Sequence, residues 1–246
     1  MISPTKIHEL ATQQQTSDIN VAREYLQHLF LSLFYKKKDS DKFLFKGGTA
    51  IRIVFGGPRY SEDLDFSASK LTKEVIENLL IETFSELNVE GITNNLKITD
   101  ANPTVGGYIA NIDLDILGFK TGIKSNIQIK EKEADLVPEP ILIENAPFLT
   151  AYSLVMLSSE VLVKEKVQAL IQRFKPRDFY DLYYFLRHDR LKNYVPRDEK
   201  TLQGISSSLD RMTDAMLDAD LRDFIPINQR AIVKTLKSSI RATLNL

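Results

Sequence analysis

The chain has 246 residues, of which 43% are hydrophobic and 26% charged, enough to bury one large core or two modest ones. It contains no cysteine, which excludes disulfides, thiolate zinc sites and cysteine nucleophiles. The net charge of −1 conceals an asymmetry: residues 1–160 carry 16 basic and 22 acidic side chains (−6), and residues 161–246 carry 16 and 11 (+5). A cationic C-terminal third suits a polyanionic substrate, although an ordinary solvated helical surface has the same composition.

The first residues show no basic segment followed by an apolar run, so no signal peptide is expected. The most apolar stretch, Leu26 to Phe34, is short and interrupted by Gln27, His28 and Ser32. It cannot span a bilayer, and a cytoplasmic protein without a membrane partner is expected. Apolar residues at helical spacing predict a helix over 18–35, with Ser17 or Asp18 as its cap. Phe43-Leu44-Phe45 reads as a short buried strand running into the glycine turn Gly47-Gly48 and a helix from Thr49 to Phe55. Gly56-Gly57-Pro58 ends that helix, Leu64 to Phe66 returns as a strand, and residues 71–88 form another amphipathic helix. Residues 107–117 alternate as a strand, with Asn111, Asp113 and Asp115 on one face; 123–129 and 140–143 are further strands. From about residue 151 the pattern turns helical: 158–174, 177–187, 205–219 and 227–244. The fold class is therefore α+β, a mixed sheet with helices over 1–150 followed by a helical part over 151–246.

The chemistry concentrates in Lys46-Gly47-Gly48-Thr49-Ala50-Ile51 and, after an intervening helix and loop, Arg59-Tyr60-Ser61-Glu62-Asp63-Leu64-Asp65-Phe66. Two aspartates separated by one residue on a strand share a face and repel each other until a hard divalent cation sits between them. Magnesium, or manganese in its place, takes one or two carboxylates and completes its shell with water and phosphate oxygens. The Gly-Gly turn at a helix N-terminus brings backbone N–H groups close to a phosphate, and Thr49 adds a hydroxyl donor. An anion cradle beside a metal site points to a nucleoside triphosphate attacked at its α-phosphorus. Two-metal chemistry calls for a third carboxylate, for which Asp115 is preferred and Asp113 is the alternative.

Lys46-Gly47-Gly48-Thr49-Ala50 followed by Arg59-x-Ser61-x-Asp63-Leu64-Asp65-Phe66 resembles the AbiEii/AbiGii-type nucleotidyltransferases, toxin components within the polymerase-β-like superfamily. A second block, Glu165-Lys166-Val167-x-Ala169-Leu170, then Arg173, then Arg177-Asp178-x-Tyr180-Asp181-Leu182, is similar to the family's lysine and Arg-Asp-x-Tyr-Asp-Leu motifs. The resemblance covers roughly residues 40–190. It implies a nucleotidyltransferase-like mixed-sheet core completed by a helical C-terminal part. It assigns the metal to Asp63 and Asp65, to which the strand reading adds Asp115 as the expected third ligand. It also gathers Lys46, Gly47, Gly48, Thr49, Arg59, Ser61, Lys166 and Arg173 around the nucleotide. Lys166 would contact the triphosphate, with Asp178 as a further catalytic acid. The implied acceptor is RNA, the 3′ end of tRNA, and a cognate antitoxin is implied as partner. Transfer to a protein hydroxyl, or a nucleotide-binding subunit without turnover, are the alternatives.

The second block also makes sense residue by residue. Lys166 and Arg173 lie two turns apart on one helix face, and Asp178 and Asp181 share a face of the next helix. The acids can orient the cations, act as a base, or simply tie two helices together in a salt-bridge cluster. His188-Asp189 reads as a helix end, because His8 and His28 are not plausible metal partners for it. Arg230, Lys234, Lys237 and Arg241 form a basic stripe on the last helix, for RNA or for solvent.

Overall fold

The computed structural model describes the chain apart from residues 1, 69–70, 90–91, 101–107, 117–118, 131–134, 145 and 147–148; the side chains of 89, 93–100 and 109–123 also lie outside the described residues. It divides into two compact units: Met1–Gly56 with Tyr60–Ser158, and Gly57–Arg59 with Ser159–Leu246.

The first unit contains α1 (Pro4–Gln14), α2 (Asp18–Phe34), β1 (Phe43–Lys46), α3 (Gly47–Phe55), β2 (Leu64–Ala68) and α4 (Lys73–Val89). It continues with β3 (Thr93–Asp100), β4 (Tyr108–Ile116), β5 (Phe119–Ile129), β6 (Pro138–Ile143) and β7 (Tyr152–Leu157). The strands form one seven-stranded sheet in the order β3-β4-β5-β2-β1-β7-β6. β1 runs antiparallel to β2 and parallel to β7, and β2 runs parallel to β5. All three apolar residues of β1 are buried, as a central strand covered on both faces requires. In β2, Leu64 and Phe66 are buried while Asp65 between them is only half-buried. Phe34 of α2 ties the layers together, its ring centroid 5.4 Å from Phe43 and 5.3 Å from Phe66. Burying rings of this size supplies much of the free energy that fixes β1 and β2, and with them the site.

The residues from 151 onward were expected to be helical, yet the sheet reaches past them. Tyr152, Leu154 and Met156 are buried on alternate positions, so β7 pairs with β1 and β6, and the helices begin at Ser159. α1 also goes beyond the sequence expectation. Its cap is Ser3, whose Oγ accepts from the Lys6 N–H at 3.2 Å, and Pro4 opens the first turn.

The second unit is helical: α5 (Ser159–Arg173), α6 (Pro176–Phe185), α7 (Glu199–Arg211), α8 (Asp214–Leu221) and α9 (Leu236–Leu244), with 3-10 turns at Leu191–Tyr194 and Ile227–Lys234. The single helix expected over 205–219 is two. Met212 is extended, and the Thr213 hydroxyl accepts from the Met216 N–H at 3.2 Å to start α8. The helix expected over 227–244 likewise breaks at Thr235 into a 3-10 segment and α9. The architecture is the α+β class read from the sequence.

Candidate active site

α3 starts directly at the end of β1, and the register sets Lys46 opposite Asp65. Gly47 has φ +83°, and a Cβ built on it would stand 2.2 Å from Asp65 Oδ2. Only glycine satisfies both demands, so the turn and the carboxylate are packed as one object. On the other side of β2, Asp65 pairs with Asn126, whose Nδ2 donates to Asp65 Oδ1 at 2.8 Å. Asp63 sits just before β2, and its backbone carbonyl accepts from the Thr49 hydroxyl. Thr49 is wholly buried, so its hydroxyl fixes the aspartate segment from within rather than facing phosphate as expected. Lys46 Nζ donates to Gln128 Oε1 at 2.8 Å. Ser61 is half-buried, and its carbonyl accepts from Gln27 Nε2 at 3.0 Å, with the Glu62 carbonyl at 3.3 Å. A glutamine inside an apolar helix is thereby explained: it holds the chain that leads into the carboxylate pair.

The third carboxylate is a different matter. Asp113 and Asp115 lie on β4 opposite Gly122 and Lys120, whereas Asp65 lies opposite Asn126. Along β5 the rows of Asp115 and Asp65 are six residues apart. At 3.3 Å per residue this is about 20 Å, and about 13 Å for Asp113. The side chains of Asp115 and Asp113, the expected third ligands, lie outside the described residues. Among the described residues no three His, Cys, Asp or Glu side chains form a metal cluster. Asp63 and Asp65 are hard carboxylate oxygens of the type that magnesium takes, with water and phosphate oxygens completing its shell.

The second motif block forms a closed charge network inside the second unit. Arg59 Nε and Nη2 each donate to Asp181 at 2.9 Å, a bidentate pair with side chains 5% and 3% exposed. Lys166 Nζ donates to Asp181 Oδ2 at 2.8 Å and lies 3.3 Å from Asp178 Oδ1. Arg173 makes a second fork, Nε and Nη2 each 2.7 Å from the Asp178 carboxylate. Burial alone would raise the Asp181 pKa, but Arg59 and Lys166 overcome it and hold it at about 2. Arg59 was expected to contact nucleotide; it is buried against Asp181, and its side chain serves the network. Asp178, considered as a base, has both oxygens bonded to cations. The salt-bridge alternative read from the sequence is the observed state of both acids. The network brings Arg59, Lys166 and Arg173 onto two buried carboxylates, with Lys166 at 11% side-chain exposure.

His188 ends α6 as expected, its Nδ1 accepting from the Arg190 and Leu191 N–H groups at 3.3 Å each. Sequence reasoning missed Gln27 and Asn126. Gln27 could have been found as a polar residue on an apolar face, whereas Asn126 reaches Asp65 only through the sheet register.

A family model described as "Nucleotidyl transferase AbiEii toxin, Type IV TA system" matches residues 29–231. Two solved structures share the fold. JHP933 from Helicobacter pylori has a TM-score of 0.64 at 20% identity, covering 94% of this chain and 92% of its own. A candidate nucleotidyltransferase from H. pylori has a TM-score of 0.63 at 20% identity, covering 93% and 94%. No curated protein matches the chain.

Proposed function

Because this chain belongs to the AbiEii family of nucleotidyltransferase toxins from type IV toxin–antitoxin systems, we propose that it transfers a nucleoside monophosphate from a triphosphate to an RNA hydroxyl, the 3′ end of a tRNA, with pyrophosphate as the leaving group. The observation that carries this reading is the fit of Gly47 against Asp65, a turn and a carboxylate that must occupy one place. Asp63 and Asp65 would hold a magnesium or manganese ion, which when bound neutralises charge on the triphosphate. The N–H groups of Gly47 and Gly48, at the start of α3, suit the phosphates. Thr49, Gln27 and Asn126 hold the two aspartates in position without spending a cation on them.

Lys166 is the cation that the family motif assigns to the triphosphate, and two buried carboxylates hold its amine in place. Asp178 and Asp181 orient it, and Arg59 and Arg173 compensate the acids. In a type IV system the remaining partner is an antitoxin protein. The test is incubation of the enzyme with each of the four α-labelled triphosphates, magnesium, total RNA and a protein extract. Label on RNA supports the reading, and label on a protein moves the acceptor to a protein hydroxyl. Equal labelling by wild type and Asp65→Asn would overturn the assignment of the site.

A further inference from the structure

A cleft of about 470 Å³ opens in the first unit, at the C-terminal end of α3. Gly47 marks the opposite end of this nine-residue helix, about 13 Å away at 1.5 Å per residue. Its polar lining is Gln14, Glu24, His28, Arg52 and Glu144, and two tyrosines contact these side chains. The Tyr60 hydroxyl donates to Gln14 Oε1, and the Arg52 guanidinium lies 4.0 Å over the Tyr60 ring. Arg52 Nε and Nη2 donate to the Glu24 carboxylate at 2.6 and 3.2 Å. His28 follows one turn after Glu24 on α2, and its Nδ1 is 2.9 Å from the Tyr152 hydroxyl. The facing wall is apolar, made by Ile53, Val54 and Ile141, with Leu142 at the rim, 57% exposed on the outermost strand of the sheet. None of these ionisable groups has a part in the nucleotidyl transfer proposed above.

The chemistry of the walls narrows the ligand. Arg52 and Glu24 cancel each other, and Glu144, the remaining charged residue of the lining, is exposed and screened by solvent, so a charged ligand gains little counter-charge for the hydration it loses. Burial lowers the His28 pKa to about 4, so the imidazole is neutral near pH 7. With Nδ1 engaged by Tyr152, its second nitrogen offers one hydrogen bond, and among the described residues none is made to it. A purely apolar ligand would cover these polar groups and leave them unsatisfied. Cavities that hold small ligands span roughly 300–1,000 Å³ and combine apolar walls with a few convergent polar groups. We propose that this cleft is a second small-molecule site, taking an uncharged planar heterocycle with a donor–acceptor edge, a nucleobase or nucleoside, apart from the carboxylate pair.

The chain has three histidines, so imidazole nitrogen NMR on the full-length, magnesium-free protein resolves the site directly. Adenosine, guanosine, cytidine and uridine are titrated in turn. The His28 signals are assigned by their loss in His28→Gln or, should that variant not fold, as the ring that stays neutral down to about pH 4. At least one nucleoside should shift them saturably while His8 and His188 stay in place. Leu142→Glu, at an exposed position, should weaken that binding by at least about tenfold by setting a charge against the apolar wall. Asp65→Asn should leave it unchanged. Absence of any His28 shift with all four nucleosides overturns the proposal, as does undiminished binding in Leu142→Glu. Loss of the shift in Asp65→Asn also overturns it, since the nucleoside would then sit at the carboxylate pair.

Discussion

Asp65 in the first unit and Asp181 in the second both belong to motif blocks, and their surroundings differ in kind. Asp65 is held by shape and by a neutral amide: Gly47 leaves it the room of a missing Cβ, and Asn126 donates to one oxygen. Asp181 is held by charge, with Arg59 across both oxygens and Lys166 on one. A carboxylate positioned by glycine and asparagine keeps its charge for a cation that arrives with substrate. A carboxylate positioned by arginine and lysine has its charge consumed within the fold. Under the function proposed above, the same residue type serves chemistry in one unit and architecture in the other, and the local partners decide which.

The largest effect should come from breaking the first of these arrangements. Asp63→Asn and Asp65→Asn should each reduce transfer by at least about 10³-fold, on the scale of losing the main electrostatic element of a site. Their melting temperatures should stay level or rise slightly, because two acids no longer repel. In the second unit the same type of change should act on stability. Arg59→Ala leaves Asp181 with Lys166 alone and Asp181→Asn sets an amide against the Arg59 fork; breaking this buried pair should cost about 3–5 kcal/mol in denaturant unfolding. Arg59→Lys should recover only part of this, since an ammonium cannot span both oxygens as the fork does. If Asp181→Asn unfolds normally yet lacks activity, the contrast between the units fails.

Two smaller effects sharpen the contrast. Gly47→Ala puts a Cβ where the Asp65 carboxylate lies and forces alanine to φ +83°. Turnover should fall about 10²-fold, the usual result of moving a catalytic group by an ångström. Acid should also separate the units. His28 is held neutral with a pKa lowered to about 4, so from pH 6.5 downward the unfolded chain takes up a proton that the folded one refuses. Stability is therefore lost as pH falls towards 4, by about 3 kcal/mol. The lowered pKa of Asp181 acts at lower pH, its contribution being present above pH 3.8 and lost as pH falls through about 2. Amide exchange should show the first unit loosening before the second, and His28→Gln should flatten the pH 4–6.5 slope alone.

What the sequence made legible was local. The period of residues 18–35 and the alternation of 107–117 expressed α2 and β4 directly, and the glycine turn before two aspartates marked the site. What it hid depends on partners far along the chain. Arg59 reads as a nucleotide contact until Asp181, 122 residues later, is seen beneath it. Thr49 reads as a phosphate donor until burial turns its hydroxyl to the Asp63 carbonyl. Asp115 shares the alternation of a good ligand strand, and the register that pairs its strand with β5 is not expressed by any spacing within β4. β7 lies in the part read as helical, ahead of its first helix at 158, because an apolar six-residue run has no strong period of its own; neighbours β1 and β6 settle it.

The smallest expected effect concerns the basic stripe near the C-terminus, and it asks whether cations of the second unit are consumed internally as its acids are. On one unbroken helix, Arg230, Lys234, Lys237 and Arg241 would present four charges to an RNA backbone. The break at Thr235 divides them between a 3-10 segment and α9, and three have partners inside the unit. Arg230 Nη2 donates to the Arg222 carbonyl at 2.8 Å, Lys237 Nζ to the Met212 carbonyl at 2.7 Å, and Arg241 Nη2 to Asp210 at 2.6 Å. Lys234 is exposed. Each phosphate contact adds about one unit to the slope of log affinity against log salt. Changing Arg230, Lys234 and Lys237 together to glutamate should therefore lower the RNA-binding slope by about one, not three. Lys234→Glu alone should reproduce that drop without the loss of stability that freeing the Met212 carbonyl adds to the triple variant. A drop of about three units would instead mean that these cations exchange their internal partners for phosphate. The contrast between the units would then hold for carboxylates only.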